Sequence, residues 1–432
     1  MKTAETTDQN LRNGAVFTVP FSIGTVIWRW IQRGIEKMEM VPGRSRLRTW
    51  AEIDLSAAES NYLNAKSRFS SGTRLFAVVK ADAYGHGAEK LASDLCRNAG
   101  ADGFAVATPQ EALQLRRGCP DSEIIILGYT PKDYYRDIIR DGRIYPAVFT
   151  LKDAENLSSE CAEGEKAGVF FAVETGMGRI GFQDTADGLS EAVTAAQLPG
   201  ISVKGLFSHF ATADSENAEG TDVQAERFGR FKKALEEKLG HCVPGSLYNS
   251  AAIVSLSPED SYDIARLGIL LYGLRATDYA DCSAFKPVMS VKTRVIALHD
   301  AFPGDGISYG RTFVADRRTR VATLCAGYAD GYPRSLSNRG EVLIRGKRCR
   351  ILGRVCMDMM MADVSGVPDV ETGDEAVLFG KSGSESVSAD DIADMTGTIG
   401  YEIVCGISKR VPRVYFRNGR PLVDGSSDPA ME

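Results

Sequence analysis

Between Leu75 and Arg266 the chain alternates short apolar, β-branched runs with amphipathic stretches of helical length. Neighbouring parallel strands need long crossovers, so this alternation confines the segment to a parallel sheet with helical connections. The strand candidates are residues 75–79, 103–106, 123–127, 146–149, 169–173, 203–207, 246–248 and 262–265. Helices are expected at 88–98, 109–117, 132–141 and 223–239 among the intervening stretches. Eight strands with intervening helices fit a closed TIM-like (β/α)8 barrel, an α/β fold. Ahead of it, residues 50–55 read as a strand, and Ser56 with Glu59 reads as a capping box opening a helix to about Arg68.

After about residue 284 the texture changes to strand runs separated by Gly-containing turns. Examples are 288–297, 320–325, 375–378, and 342–345 paired across Gly346-Lys347 with 348–352. This part reads as a separate all-β domain, mainly antiparallel. The expected layout is an N-terminal extension at 1–46, a barrel domain at 47–284, a β domain at 285–422 and a tail at 423–432, with the leading strand 50–55 open to joining the β domain. Residues 15–31 are apolar, but Pro20, Gly24 and Arg29 interrupt them and no small-residue cleavage site follows. Secretion and membrane anchoring are therefore disfavoured. A translation start at Met38 or Met40 would make the upstream segment non-native, and the alternative is a disordered extension.

A chain of 432 residues is long enough for two cores, and 44% hydrophobic with 25% charged residues is ordinary for a soluble protein. A net charge of −6 provides no broad cationic surface for nucleic acid or anionic lipid. The nine cysteines are odd in number, scattered and free of any C-x-x-C pair, which points to a reducing cytoplasm. None of the four histidines stands at a metal-ligand spacing from another His or Cys, so no metal site is expected.

Polar residues recur where the barrel strands end: Lys80 after the first, Arg179 after the fifth, His209 after the sixth, Ser250 after the seventh and Arg266 after the eighth. Active sites of such barrels are built at that face. A lysine closing an apolar strand is partly desolvated, which lowers its pKa and makes a nucleophilic amine able to form a Schiff base. Position alone favours a plainer reading, a lysine snorkelling from a strand end. The loop carrying Tyr84, Gly85 and Gly87 could hold a phosphate with a phenol and free N–H groups, or be just a turn. A lone His209 would ordinarily be a satisfied core residue, and Ser250 a helix N-cap.

The stretch Ala77-Val78-Val79-Lys80-Ala81-Asp82-Ala83-Tyr84-Gly85-His86-Gly87 resembles the cofactor-lysine motif of the alanine racemases, a pyridoxal-phosphate family built from an α/β barrel and a β domain. The resemblance runs from about Trp50 to Arg413, with several further motifs in the family's order. It implies that Lys80 binds pyridoxal 5'-phosphate covalently and serves as one acid/base, while Tyr84 hydrogen-bonds the phosphate. Thr175-Gly176-Met177-Gly178-Arg179-Ile180-Gly181 matches the motif whose arginine contacts the cofactor's phenolic oxygen and positions the substrate carboxylate. Ser208-His209-Phe210-Ala211 matches the segment whose histidine stacks near the pyridine ring and hydrogen-bonds an arginine. Asn249-Ser250-Ala251-Ala252 resembles the phosphate-binding serine motif. Arg266-Leu267-Gly268-Ile269 resembles the pyridine-nitrogen motif, with Gly268 and Ile269 as backbone phosphate donors. An arginine cannot give its proton to the ring nitrogen, so the cofactor would be a restrained electron sink, which disfavours transamination and decarboxylation.

Racemisation removes a proton from one face of the α-carbon and delivers one to the other, so two acid/bases are needed. The resemblance assigns the second to Tyr309, in Gly306-Ile307-Ser308-Tyr309-Gly310-Arg311-Thr312, entering from the partner subunit of a homodimer. A phenol needs neighbouring cations to act as a base. On residues alone, a Tyr in a Gly-rich loop is more often structural. Ala326-Gly327-Tyr328-Ala329-Asp330-Gly331-Tyr332 and Cys356-Met357-Asp358 match further motifs, which implies that Tyr328 lines the entry, that the Met357 N–H binds the substrate carboxylate, and that Asp358 belongs to the substrate-binding set. Thr398-Ile399-Gly400-Tyr401-Glu402 resembles the segment whose tyrosine touches the phosphate and narrows the pocket, which favours alanine over serine. Two departures stand out. The family's modified lysine, which orients the Gly-Met-Gly-Arg arginine, is Ala172 here, and Gly400 replaces a common asparagine.

The expected activity is interconversion of L-alanine and D-alanine in a cytoplasmic dimer feeding cell-wall synthesis. Three other readings remain. A serine or broad-specificity racemase shares the fold, and a non-catalytic pyridoxal-phosphate carrier would need no β domain or Tyr309. A fold-related decarboxylase would be expected to carry an acid in place of Arg266.

Overall fold

The first three strands of the barrel, Arg74–Val78, Gly103–Val106 and Ile124–Ile126, carry almost no polar side chains and are buried on both faces. Strands of that kind are stable only inside a layered or closed parallel sheet. The computed structural model, which describes residues 47–216 and 219–422, closes them into an eight-stranded barrel. Ile144–Val148, Ala167–Glu174, Ile201–Phe207, Gly245–Ser246 and Ile264–Leu267 follow in parallel, and the last pairs back onto the first with Arg266 opposite Phe76. All eight expected strands are present. The eighth begins two residues later than expected, so Arg266 lies within the strand and is buried, not beyond its end.

Helices fill the crossovers. Pro109–Gly118 opens on a capping box between Thr108 and Glu111, and Glu219–Leu239, at 21 residues, is the longest among the described residues. The expected helix at 88–98 is split: Ala88–Asp94 is α-helical and Leu95–Ala99 is a π turn. The helix after the leading strand is capped not by Ser56 but by Asp54, whose Oδ1 accepts from the Ser56 and Ala57 N–H groups. A carboxylate at the first non-helical position caps directly. Ser56 and Glu59 are then free for other partners, and Glu59 ion-pairs with Arg417 at 2.7 Å.

The second sheet has ten strands, and Thr49–Asp54 belongs to it, antiparallel to Met289–Ala301 and parallel to Arg413–Arg417. Met289–Ala301 shifts register twice, which lets one long strand pair with Thr319–Leu324, Glu375–Ser382 and Thr49–Asp54. The hairpin near residue 346 turns one residue earlier than expected. Ile344 pairs with Lys347, and Arg345 and Gly346 take φ of 49° and 71°, the double positive φ of a type I′ turn. The region is mainly, not wholly, β, because Ala389–Thr396 and Gly400–Cys405 are helical. Residues Arg48–Leu422 together form one compact unit. The expectations for residues 1–46 and 423–432, including the apolar run and the alternative starts, lie outside the described residues. No helix among the described residues is long and apolar enough to cross a membrane.

Candidate active site

The first barrel strand ends at Val78, and Lys80 begins a turn of unusual hand: Ala81, Asp82, Ala83 and Tyr84 all have φ between 51° and 54°. Left-handed helical backbone costs roughly 1–2 kcal/mol per non-glycine residue. Several long-range groups hold it in place. Glu111 Oε1 accepts from the Ala81 N–H at 2.7 Å, Asp82 Oδ1 accepts from Ala88 at 2.8 Å, and Arg413 Nε donates to the Gly85 carbonyl at 2.8 Å. His86 Nδ1 lies 2.9 Å and 3.0 Å from the Ala83 and Tyr84 carbonyls, so Nδ1 carries the proton. Burial holds His86 down to about 4, and its enclosed Nε2 has no partner. At Gly85, φ is +82° and a Cβ would stand 2.5 Å from the Val404 carbonyl oxygen, so only glycine fits this turn.

Tyr84 is buried, with ring centroids 4.9 Å from Tyr272 and 5.8 Å from Tyr401. Burial pushes the Tyr84 phenol up and keeps it a donor. Ser250 Oγ accepts from the Gly268 and Leu270 N–H groups at 2.8 and 3.4 Å. A Cβ on Gly268 would lie 3.3 Å from Ser250 Oγ and 3.4 Å from the Tyr84 hydroxyl, so both hydroxyls converge where Gly268 and Ile269 lead out of the eighth strand. Ser250 is not the helix N-cap. Asn249 has the extended backbone of a cap and accepts from Ala252 at 3.0 Å, which leaves Ser250 Oγ to face Gly268. Tyr401 comes from the helix Gly400–Cys405, so the β region supplies one wall of the mouth of its own chain's barrel.

The strand ends also carry a group of cations. Arg266 donates from Nη1 to the Ser246 carbonyl and hydroxyl at 2.9 and 2.5 Å, and from Nη2 to the carbonyls of Ser208 and Leu247 at 2.7 and 3.4 Å. Nη2 also approaches His209 Nδ1 at 3.3 Å, so His209 is protonated on Nε2. No carboxylate among the described residues pairs with Arg266. Burial and Arg179 bring it down to about 10. Burial, then Arg266, Arg179 and Lys80, bring His209 down to about 3. Lys80 itself is lowered by burial and by Arg179, against a smaller upward pull from Glu111. Lys80, Arg179, His209 and Arg266 thus stand close enough at the strand ends for charge on one to act on another.

Arg179 is exposed, and its loop is built around Glu174, which no motif singled out. The Glu174 carboxylate accepts from the N–H groups of Gly176, Gly178 and Arg179 at 2.6–2.9 Å. Burial raises its pKa, but the backbone donors of Gly178, Arg179, Gly176 and Met177 prevail and hold it low. Gln224 ties the same loop to the sixth strand, donating to Thr175 Oγ1 at 3.2 Å and the His209 carbonyl at 2.9 Å. Glu111 had a legible signal in its capping-box spacing from Thr108. Glu174 and Gln224 had none, because their partners are set by the barrel's closure.

The remaining expected residues lie on the β region and are exposed in a single chain: Tyr309 at 71%, Met357 at 53% and Tyr328 at 41%. Tyr309 sits between Ser308, at φ 68°, and Gly310, at φ 71°, with the Arg354 guanidinium alongside Gly310. Ser308 Oγ anchors the loop on the Arg354 carbonyl at 2.6 Å. The Tyr328 and Ala329 N–H groups donate to the Cys356 and Met357 carbonyls at 3.0 Å, so those two loops move together. Asp358 pairs with Arg410 at 2.8 Å, and the buried Asp330 pairs with Arg48 and Arg410 at 2.8 and 2.9 Å. The Asp358 carboxylate thus braces the loop. Gly400 also has a local reason: a Cβ there would overlap Asp390 Oδ1, which packs against the backbone where the family's asparagine would stand.

The family model described as alanine racemase, N-terminal domain, matches residues 53–276, and that described as alanine racemase, C-terminal domain, matches residues 288–415. The alanine racemase of Clostridium novyi (strain NT) is 41% identical over 377 residues, 86% of this chain and 96% of that one. That of Halothermothrix orenii is 43% identical over 373 residues, covering 85% and 96%. Among solved structures, the alanine racemase of Clostridium difficile 630 matches with a TM-score of 0.81 at 36% identity, over 87% of this chain and 97% of that one. An alanine racemase from Bacillus anthracis, solved with bound L-Ala-P, matches with a TM-score of 0.79 at 32% identity, over 87% and 96%.

Proposed function

We propose that this chain, which belongs to the alanine racemase family, interconverts L-alanine and D-alanine using pyridoxal 5'-phosphate, with Lys80 and Tyr309 as its two acid/bases. The observation that carries the reading is the barrel mouth, where a desolvated Lys80 faces an Arg266 that has only neutral partners. An acid at that position would suit a decarboxylase. The β region with its exposed Tyr309 would be superfluous in a carrier.

The residues fit the cofactor. The hydroxyls of Tyr84 and Ser250 converge at the side-chain-free Gly268, a cradle for a phosphate, with the Gly268 and Ile269 backbone and Tyr401 beside it. Lys80, at a pKa below that of a free lysine, more readily presents the unprotonated amine that a carbonyl group requires. The chemistry supplied by the bound cofactor is electron withdrawal from the substrate α-carbon, which acidifies its proton. Arg266 would face the ring nitrogen of the bound cofactor without giving up a proton and so would limit that withdrawal, while neutral His209 beside it would add no second charge. Arg179 and the Met357 N–H hold the substrate carboxylate, Tyr328 lines the entry, and Asp358 steadies the Met357 loop through Arg410. Lys80 Nζ takes or returns the α-proton on one face, and the hydroxyl of Tyr309 of the partner subunit does so on the other. Tyr401 narrows the pocket toward alanine.

We take residues 47–284 as the cofactor barrel domain and 285–422 as the β domain, with the leading strand Thr49–Asp54 lent to the sheet of the latter. The active unit is a homodimer in the cytoplasm, and its D-alanine supplies cell-wall synthesis. The exposure of Tyr309, Tyr328 and Met357 supports a shared site, because three functional residues are left uncovered by their own chain. The test is D-alanine formation from L-alanine by the purified, cofactor-saturated protein, with L-serine as comparison. Activity abolished in Lys80→Ala supports the reading. A yellow protein inactive on both amino acids would redirect it to another substrate, and a protein that takes up no cofactor would end it.

A further inference from the structure

Outside the barrel mouth, two cysteines stand in direct contact: Cys96 Sγ lies 3.2 Å from Cys119 Sγ and 3.3 Å from Ser122 Oγ. Among the described residues no other two cysteines come within hydrogen-bonding distance, and all nine are free thiols. Cys96 lies in the π turn Leu95–Ala99, which continues the helix leading away from the cofactor-lysine loop. Cys119 is buried directly after the helix Pro109–Gly118, which carries Glu111. We propose that Cys96 and Cys119 form a hydroperoxide-responsive dithiol that closes into a disulfide and staples these two helices together.

The chemistry has an asymmetric starting point. The neighbouring Cys119 thiol, then Ser122 and Arg97, favour ionisation of Cys96 against the opposing effect of burial, whereas Cys119 is raised. Cys96 is also the half-buried partner and Cys119 the enclosed one, so oxidant reaches Cys96 first. Attack of the Cys96 thiolate on a hydroperoxide forms an S–O bond, breaks the O–O bond and leaves a sulfenic acid with release of hydroxide or alkoxide. Cys119 then attacks the Cys96 sulfur, the S–O bond breaks, and the oxygen departs as water with the thiol's proton. Two thiols lose two electrons and the peroxide gains them. Because the sulfurs already touch, closure needs little more than side-chain rotation, and the Lys80 turn is left where it is. The device is a staple, not an off-switch.

The test uses the full chain, cofactor-saturated and reduced, then exposed to hydrogen peroxide and alkylated. Trypsin cuts after Lys90, Arg97, Arg117 and Lys132, so the staple joins peptides 91–97 and 118–132 with loss of two hydrogens. Titratable thiols fall from nine to seven, the melting temperature rises by about 2–4 °C, and activity is retained. Cys96→Ser and Cys119→Ala should each abolish the linked peptide and the thermal shift while keeping basal activity. The proposal fails if the peptides stay unlinked, if Cys96 overoxidises without linking, or if the shift persists in Cys96→Ser. Peptide mapping does not depend on which amino acid the enzyme racemises.

Discussion

Arg266 holds a full guanidinium inside the barrel on carbonyls, one hydroxyl and a neutral imidazole, an arrangement that makes sense only if its charge has a task there. Replacing it by Glu puts a proton donor where Arg266 gives none. In Arg266→Glu, alanine turnover is expected to fall by about 10²-fold or more while pyruvate from side transamination rises, both read in one assay. Unchanged partitioning would mean the ring nitrogen does not sense this residue. Tyr309→Phe removes a hydroxyl without altering shape, and should cost about 10²–10⁴ in turnover. In deuterated water it should impair proton exchange on one face of the substrate only. Equal loss on both faces would count against two bases. Lys80, Arg179, His209 and Arg266 could be named from strand-end positions and motifs because those signals are local. Glu174, Gln224 and Glu111's grip on Ala81 could not, since each joins residues brought together by closure of the barrel.

The left-handed turn at 81–84 is an element whose cost is borne by its neighbours, and its supports can be tested apart from the chemistry. His86 is one of them. Its pKa is 6.5 when unfolded and about 4 when folded, so between those values the unfolded chain binds a proton that the folded chain refuses. Stability is therefore complete above pH 6.5 and declines as the pH falls toward 4, and His209 adds a loss of the same sign down to about 3. Urea midpoints measured across this range should slope accordingly. His86→Asn, which can still donate to the Ala83 and Tyr84 carbonyls, should flatten the slope. The short helix Gly400–Cys405 offers a second test. Gly400→Asn restores the family's common residue but drives its Cβ into Asp390, which should destabilise the protein by about 1–3 kcal/mol. Adding Asp390→Ala should recover most of that, as read by thermal unfolding. Strand and helix positions were legible to within a few residues from periodicity. The hand of the turn was not, because it follows from supports as distant in sequence as Arg413.

At the scale of the whole molecule, Lys80 and Tyr309 are expected to meet only across two copies of the chain. Mixing Lys80→Ala with Tyr309→Phe, each nearly inactive alone, should therefore regain activity as subunits exchange. The ceiling is about a quarter of the wild-type rate, since half of a random mixture is hybrid dimers with one intact site each. No recovery under exchange conditions would place both bases in one chain. The amino-acid sequence by itself determined the eight-strand order and the change to a strand-rich region near residue 284. Those properties follow from local periodicity and residue type. Only the tertiary structure decided that Thr49–Asp54 joins the second sheet, that Asn249 rather than Ser250 caps its helix, and that burial with Arg266, Arg179 and Lys80 nearby depresses the protonation of His209. Burial and the distance between charges set those outcomes, and neither is a function of separation along the chain.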